Sequence, residues 1–148
     1  MKGSPNLEIE TIRFGKITIQ DEKVITFPKG LLGFSQRRRF ILFPHKEGSP
    51  FFWLQCVEDG DLAFVLMNPK LVVNDYVLDI DDDNLKDLEC DDGHGLDVLC
   101  IVTIPHDDPR KMTVNLLGPI VINVTKMRAV QLVSTSSAFS HRHPVISV

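Results

Sequence analysis

"PFFWLQCVEDGDLAFVLMNP", residues 50–69, sets two short apolar runs on either side of an acidic turn. The runs, 51–57 and 62–67, are rich in Phe, Trp, Val and Leu and too short for helices, so they read as strands. Glu58-Asp59-Gly60-Asp61 between them reads as a tight hairpin turn in which Gly60 takes a positive φ. Pro69 ends the pattern, because proline cannot donate to a ladder. Along the first strand Phe51, Trp53 and Gln55 share one face, and Phe52, Leu54 and Cys56 share the other. Apolar residues on both faces describe either a central strand buried on both sides or one with a core face and an interface face.

The same pattern extends outward. Residues 7–12 (LEIETI) and 16–19 (KITI) alternate with period two, and 23–27 (KVITF) and 39–43 (RFILF) are further strand candidates. Between them, 27–34 (FPKGLLGF) combines loop residues with Leu31, Leu32 and Phe34, which either plug one end of the fold or stand out as partner anchors. Towards the C-terminus, 96–104, 111–117, 120–124 and 128–133 read as strands, with Gly118-Pro119 turning or bulging the chain. Asn115, set among apolar residues, is expected to satisfy backbone groups, since an unpaired buried amide costs about 1–3 kcal/mol. Residues 68–80 read as a turn and then a short strand or extended segment. The helix candidate is 81–89: an Asp can cap it, acids fill its first turn, and Leu85 and Leu88 stand at i, i+3. Nine or ten short strands with one small helix describe an antiparallel sandwich or a small barrel.

Composition narrows the function classes. A chain of 148 residues with 43% hydrophobic and 24% charged residues is ordinary for one globular domain, here 1–148. No apolar run approaches the roughly 20 residues of a membrane helix, and the first residues lack a secretory core, so a cytoplasmic protein is expected. The net charge of −4 is unevenly spread. Residues 79–97 contain nine acids and the single base Lys86, an acidic patch unsuited to nucleic acid. The basic run Arg37-Arg38-Arg39 is short and reads as a solvated loop.

Tests for chemistry return little. Cys56, Cys90 and Cys100 have no paired spacing and read as reduced thiols. GxSxG, HExxH and P-loop patterns are absent, so no catalytic residue is assigned. Aligning Asp79, Asp81 and Asp83 to a calcium loop puts Asn84 where glycine is required and Cys90 where a bidentate Glu is required. His141 and His143 lack a third ligand with zinc spacing. No cofactor and no metal are therefore expected. Residues 134–148 form a tail, docked on the barrel through 143–146 or partly mobile.

Four ordered blocks, 25–34 (ITFPKGLLGF), 50–69, 101–123 (IVTIPHDDPRKMTVNLLGPIVIN) and 142–145 (RHPV), together resemble the bacterial flagellar assembly factor FliW family. The departures are Gly118, where alanine is expected, and Lys29, where Glu is commoner. The resemblance implies an all-β, mainly antiparallel, barrel-like monomer that is not an enzyme. It also implies two competing protein partners, flagellin and the RNA-binding translational regulator CsrA. On physical grounds the acids Asp79, Asp81, Asp82, Asp83 and Asp87 are assigned to CsrA, whose RNA-binding surface must be basic. Leu31, Phe34, Phe51 and Trp53 are assigned to flagellin, whose amphipathic ends need an apolar docking surface. The rival readings are a small-ligand or carbohydrate-binding β-domain using Trp53, Tyr76 and His106, and an enzyme with a cryptic Cys/His site.

Overall fold

A computed structural model describes residues 6–145. Eleven strands form: β1 (Asn6–Thr11), β2 (Gly15–Gln20), β3 (Ile25–Thr26), β4 (Arg39–Pro44), β5 (Phe51–Cys56), β6 (Ala63–Met67), β7 (Leu96–Thr103), β8 (Thr113–Val114), β9 (Ile120–Asn123), β10 (Arg128–Gln131) and β11 (His143–Pro144). One short α-helix, α1 (Asp82–Asp87), precedes β7. Seven strands close into a barrel in the order β7-β6-β5-β4-β3-β10-β9, with β9 returning to β7. Closure removes the open edges that make flat sheets prone to unwanted pairing. All neighbours are antiparallel except β3 and β10, which meet in parallel at Thr26 and Arg128.

The decisive hairpin forms as the sequence predicts, with Leu54 opposite Phe64 and Trp53 opposite Val65. Alternation sends Leu54 and Cys56 into the barrel, where they pack with Phe27, Phe40, Leu66, Ile120 and Ile122. Burying an aliphatic or aromatic side chain of this size contributes about 1.5–3 kcal/mol, so each member of this cluster adds substantially to stability. Gly60, however, is not among the residues with positive φ. Its value lies in close approach. The β1–β2 hairpin crosses the turn here, the Ile12 N–H donates to the Gly60 carbonyl at 3.1 Å, and a β-carbon on Gly60 would lie 1.8 Å from the Glu10 carbonyl oxygen. Beneath the crossing Gln55 is fully buried and donates to the carbonyls of Cys56 and Leu62 at 3.0 and 3.1 Å.

Two expected strands contract. In 23–27 only Ile25 and Thr26 pair, because Asp21–Lys23 winds into a 3-10 turn and the Phe27 N–H bonds to the Arg38 carbonyl. In 111–117 only Thr113 and Val114 pair. Both β8 and β9 run along one edge of β7, but Val114 faces Val102 while Ile120 faces Leu99. Residues 115–119 therefore loop out between the two pairings, where Gly118-Pro119 predicts a break. Asn115 holds that loop: its side-chain oxygen accepts from the N–H groups of Leu117 and Gly118 at 2.9 and 3.2 Å. Gly118 suits the loop, since a β-carbon there would lie 3.0 Å from Gln131 Nε2 and 3.2 Å from Asn115 Nδ2. Both atoms belong to side chains, which can give way to the alanine expected at this position.

The tail docks. β11 pairs with β8, the Val145 N–H donates to the Met112 carbonyl at 3.1 Å, and Val145 is buried against Tyr76, Val102 and Val114. Ile146 and the two residues after it lie outside the described residues. Arg37 and Arg39 are not free in solvent: they pair with Asp59 at 3.3 Å and Glu58 at 3.7 Å, tying the basic run to the β5–β6 turn. Among the described residues no helix is long and apolar enough to cross a membrane.

Candidate partner-binding surfaces

Trp53 sits half-buried on the outer wall of the barrel, on the opposite face of β5 from Leu54. The turn between β1 and β2 reaches over it. That turn is tied by Thr11, whose hydroxyl donates to the Gly15 carbonyl at 2.9 Å and accepts from the Phe14 N–H at 2.8 Å. It places Phe14 edge-on to both Phe43 and Trp53, at 5.0 and 5.3 Å between ring centres, and sets the Arg13 guanidinium 4.9 Å above the indole. A cation over a tryptophan face contributes about 0.5–1 kcal/mol at an exposed site. On the far side the indole N–H donates to His45 Nδ1 at 3.2 Å. Trp53 is thus oriented from three sides, with its remaining edge open to a cleft of about 580 Å³ shared with Val65, Ile104 and His106. Nothing local in the sequence ties Arg13 and Phe14 to Trp53, because the contact spans separate hairpins.

The other apolar residues assigned to flagellin do not join Trp53. Leu31 is only 2% exposed and belongs to the barrel core, so the 27–34 loop plugs the barrel end. Phe34, 40% exposed, leans on Phe64 at 5.7 Å between ring centres. Phe51 shares the outer face with Trp53 but packs into a second cluster around Met67, Tyr76 and Val114. Tyr76, one of the three stacking residues in the ligand reading, is buried and donates its hydroxyl to the Leu116 carbonyl at 2.6 Å. Of that trio only Trp53 and His106 line one cleft.

The acidic segment is built on α1. Asp81 caps it, accepting from the Asn84 N–H at 2.9 Å, one of the acids available to the cap the sequence predicts. Leu88 follows the helix into a third apolar cluster with Val121, Val130 and Leu132. Asn123 Nδ2 donates to the Leu88 carbonyl at 2.8 Å, and Arg128 Nε to the Asp87 carbonyl at 2.7 Å. This docking leaves Asp79, Asp81, Asp82 and Asp83 exposed. Asp87 differs. It pairs with Lys29 at 3.0 Å, and this hydrogen bond and charge raise the lysine above its usual pKa. The position where Glu is commoner is therefore a base that takes up one of the five acids.

The thiols offer little chemistry. Cys56 and Cys100 are buried, and burial pushes both upward, Cys100 to about 12, so they stay protonated and unreactive. Cys90 is half-buried, with its sulfur 3.5 Å from the His94 carbonyl. The His94 N–H donates to the Asp92 carboxylate at 3.0 Å and holds it below the usual carboxylate range. Among the described residues no group of three or more His, Cys, Asp and Glu side chains is placed to hold a metal ion.

Comparison with known proteins matches the whole of this architecture. A family model described as "FliW protein" matches residues 8–146. The flagellar assembly factor FliW of Natranaerobius thermophilus is 35% identical over 141 residues, covering 95% of this chain and 93% of its own. That of Geobacter sulfurreducens is 39% identical over 138 residues, covering 93% and 86%. A crystal structure of the flagellar assembly factor FliW superposes with a TM-score of 0.86 at 30% identity, covering 96% of this chain and 99% of that one. Sequence and barrel topology agree along nearly the full length, and the chain belongs to the FliW family.

Proposed function

We propose that this protein is a cytoplasmic, non-catalytic, single-domain flagellar assembly factor that holds flagellin and antagonises the translational regulator CsrA. Flagellin that has not been secreted occupies the factor and leaves CsrA to repress its synthesis. Secretion of flagellin frees the factor to relieve that repression. The observation that carries the reading is the match over nearly the full chain, in sequence and in fold, to proteins named flagellar assembly factors. The surfaces are compatible with it. Exposed acids around α1 offer steering towards a basic partner, and the oriented indole of Trp53 beside an open cleft offers an apolar anchor. Phe34, half-exposed on the loop that Leu31 anchors in the core, offers a separate apolar contact, and Phe51 backs the outer face of β5 from within its own cluster.

Titration of the purified protein with flagellin and with CsrA, alone and in competition, tests the reading. Binding of both with mutual displacement is expected, and absence of binding to either partner rejects it. Changing Asp81, Asp82 and Asp83 together to Asn keeps a competent cap and removes three charges. The association rate with CsrA should fall about three- to tenfold at low salt, with a flatter salt dependence. An unchanged rate and slope would take the acidic segment out of the interaction. Trp53→Ala should weaken flagellin binding about tenfold or more, as expected for a central aromatic anchor. A folded variant with unchanged affinity would move the flagellin site elsewhere. The small-ligand reading is weaker, because Tyr76 is committed to the core.

A further inference from the structure

Two extended segments face a cleft of about 480 Å³ that shares no lining residue with Trp53's cleft, and both carry backbone groups unpaired among the described residues. The first is 75–80. Tyr76, Leu78 and Ile80 turn inward, while Asp75, Val77 and Asp79 turn outward, the alternation of a strand. Yet 77–80 joins no sheet, and none of its N–H or C=O groups makes a hydrogen bond with the described residues. The second is 132–135, which continues β10. Leu132 and Ser134 donate to the carbonyls of Pro119 and Leu117 at 2.8 and 2.7 Å, so the intervening N–H of Val133 points to the opposite edge. Among the described residues Val133 and Thr135 have no backbone partner there. Two strand edges with no partner among the described residues thus border one cleft, whose lining includes Leu78, Leu132 and Phe139.

We propose that this cleft takes an extended peptide segment of a protein partner by strand addition, with apolar side chains alternating with Lys or Arg. Backbone groups of Val77–Ile80 or of Val133 and Thr135 would supply the ladder, the recognition mode of an exposed sheet edge. Val77 and Val133, 76% and 67% exposed, supply apolar contacts to alternate side chains. Asp75 and Asp79 line the cleft and no Lys or Arg does, so charge complementarity selects a basic segment. The inference rests on the proposed reading only in requiring a protein partner. It adds a binding mode and a place.

The test uses a synthetic ten-residue peptide of alternating Val and Lys, and the same peptide N-methylated at alternate amides, against the full-length protein. Binding of the first should slow hydrogen exchange at Val77–Ile80, Val133 and Thr135, and N-methylation should weaken binding about tenfold or more. Val133→Pro removes an N–H that has no internal partner. It should weaken peptide binding about fivefold or more with unchanged circular dichroism, while Val133→Ile keeps both the backbone donor and the apolar contact and a smaller effect is expected. No binding at millimolar peptide overturns the proposal. So does protection elsewhere, or indifference to both N-methylation and Val133→Pro. Protection of these amides that depends on protein concentration without peptide assigns the edge to a second copy of this chain instead. Titration with flagellin and CsrA succeeds or fails independently of these outcomes.

Discussion

Gly60→Ala should destabilise the protein by about 3 kcal/mol and lift the β1–β2 hairpin off the barrel. The new methyl would fall 1.8 Å from the Glu10 carbonyl oxygen, which belongs to backbone and cannot rotate aside. One strand pair must retreat, breaking the bond from the Ile12 N–H to the Gly60 carbonyl and exposing Gln55. Overpacking against backbone costs in this range, and the loss of a buried polar shield adds to it. The readout is built in. Trp53 is the only tryptophan, and Arg13 and Phe14 of the hairpin lie against it, so its emission should shift under native conditions. Gly15→Ala is the contrast. Its β-carbon meets nothing within 4 Å, and only its φ of +66° penalises alanine, by about 1 kcal/mol. Urea titrations that rank the two variants equally would contradict the crossing seen at Gly60.

Asn123→Ala should cost about 2–4 kcal/mol and loosen the acidic helix. Asn123 is buried at the end of β9, where one amide serves two elements. Its nitrogen donates to the Leu88 carbonyl, and its oxygen accepts from the N–H groups of Thr125 and Lys126 at 3.2 and 3.3 Å. Each buried group left unpaired costs about 1–3 kcal/mol. Asn123→Asp separates the roles, keeping the acceptor for the turn and deleting the donor to Leu88. Faster hydrogen exchange in α1 should appear in both variants, and faster exchange in the 124–127 turn chiefly in the alanine variant. Stability unchanged in Asn123→Ala would mean that Leu88 packing and the Arg128 and Lys29 contacts to Asp87 hold α1 without it.

How far the molecule is legible from its sequence depends on the range of each interaction. Short apolar runs bounded by turn residues, such as β5 and β6, show themselves through composition and length. The aspartate cap is equally local, although only the structure singles out Asp81 among the neighbouring acids. Closure of the barrel is different, since β7–β9 and β3–β10 pairing leaves no trace in a short window. Gly60 shows the same limit. A glycine in a turn suggests a positive φ, whereas here a strand from the far end of the chain demands the missing side chain. Leu31 and Phe34 are indistinguishable by composition. Gly30, at φ +69°, bends their loop so that one enters the core and the other stays half outside. The acid count in 79–97 is plain, but the capture of Asp87 by Lys29 depends on two segments meeting in space.

The parallel meeting of Thr26 and Arg128 gives the ring a seam. Roughly one hundred residues separate the two, while the other barrel neighbours join much closer segments. The entropy of drawing such distant points together must be met before their few contacts repay it, so this joint forms late. On a ribosome, β4, β5 and β6 can pair as soon as they emerge, but the cylinder must wait for nearly the whole chain. Until then Phe27, Phe40 and Leu54 face an open sheet, and the nascent protein is most exposed to aggregation in that interval.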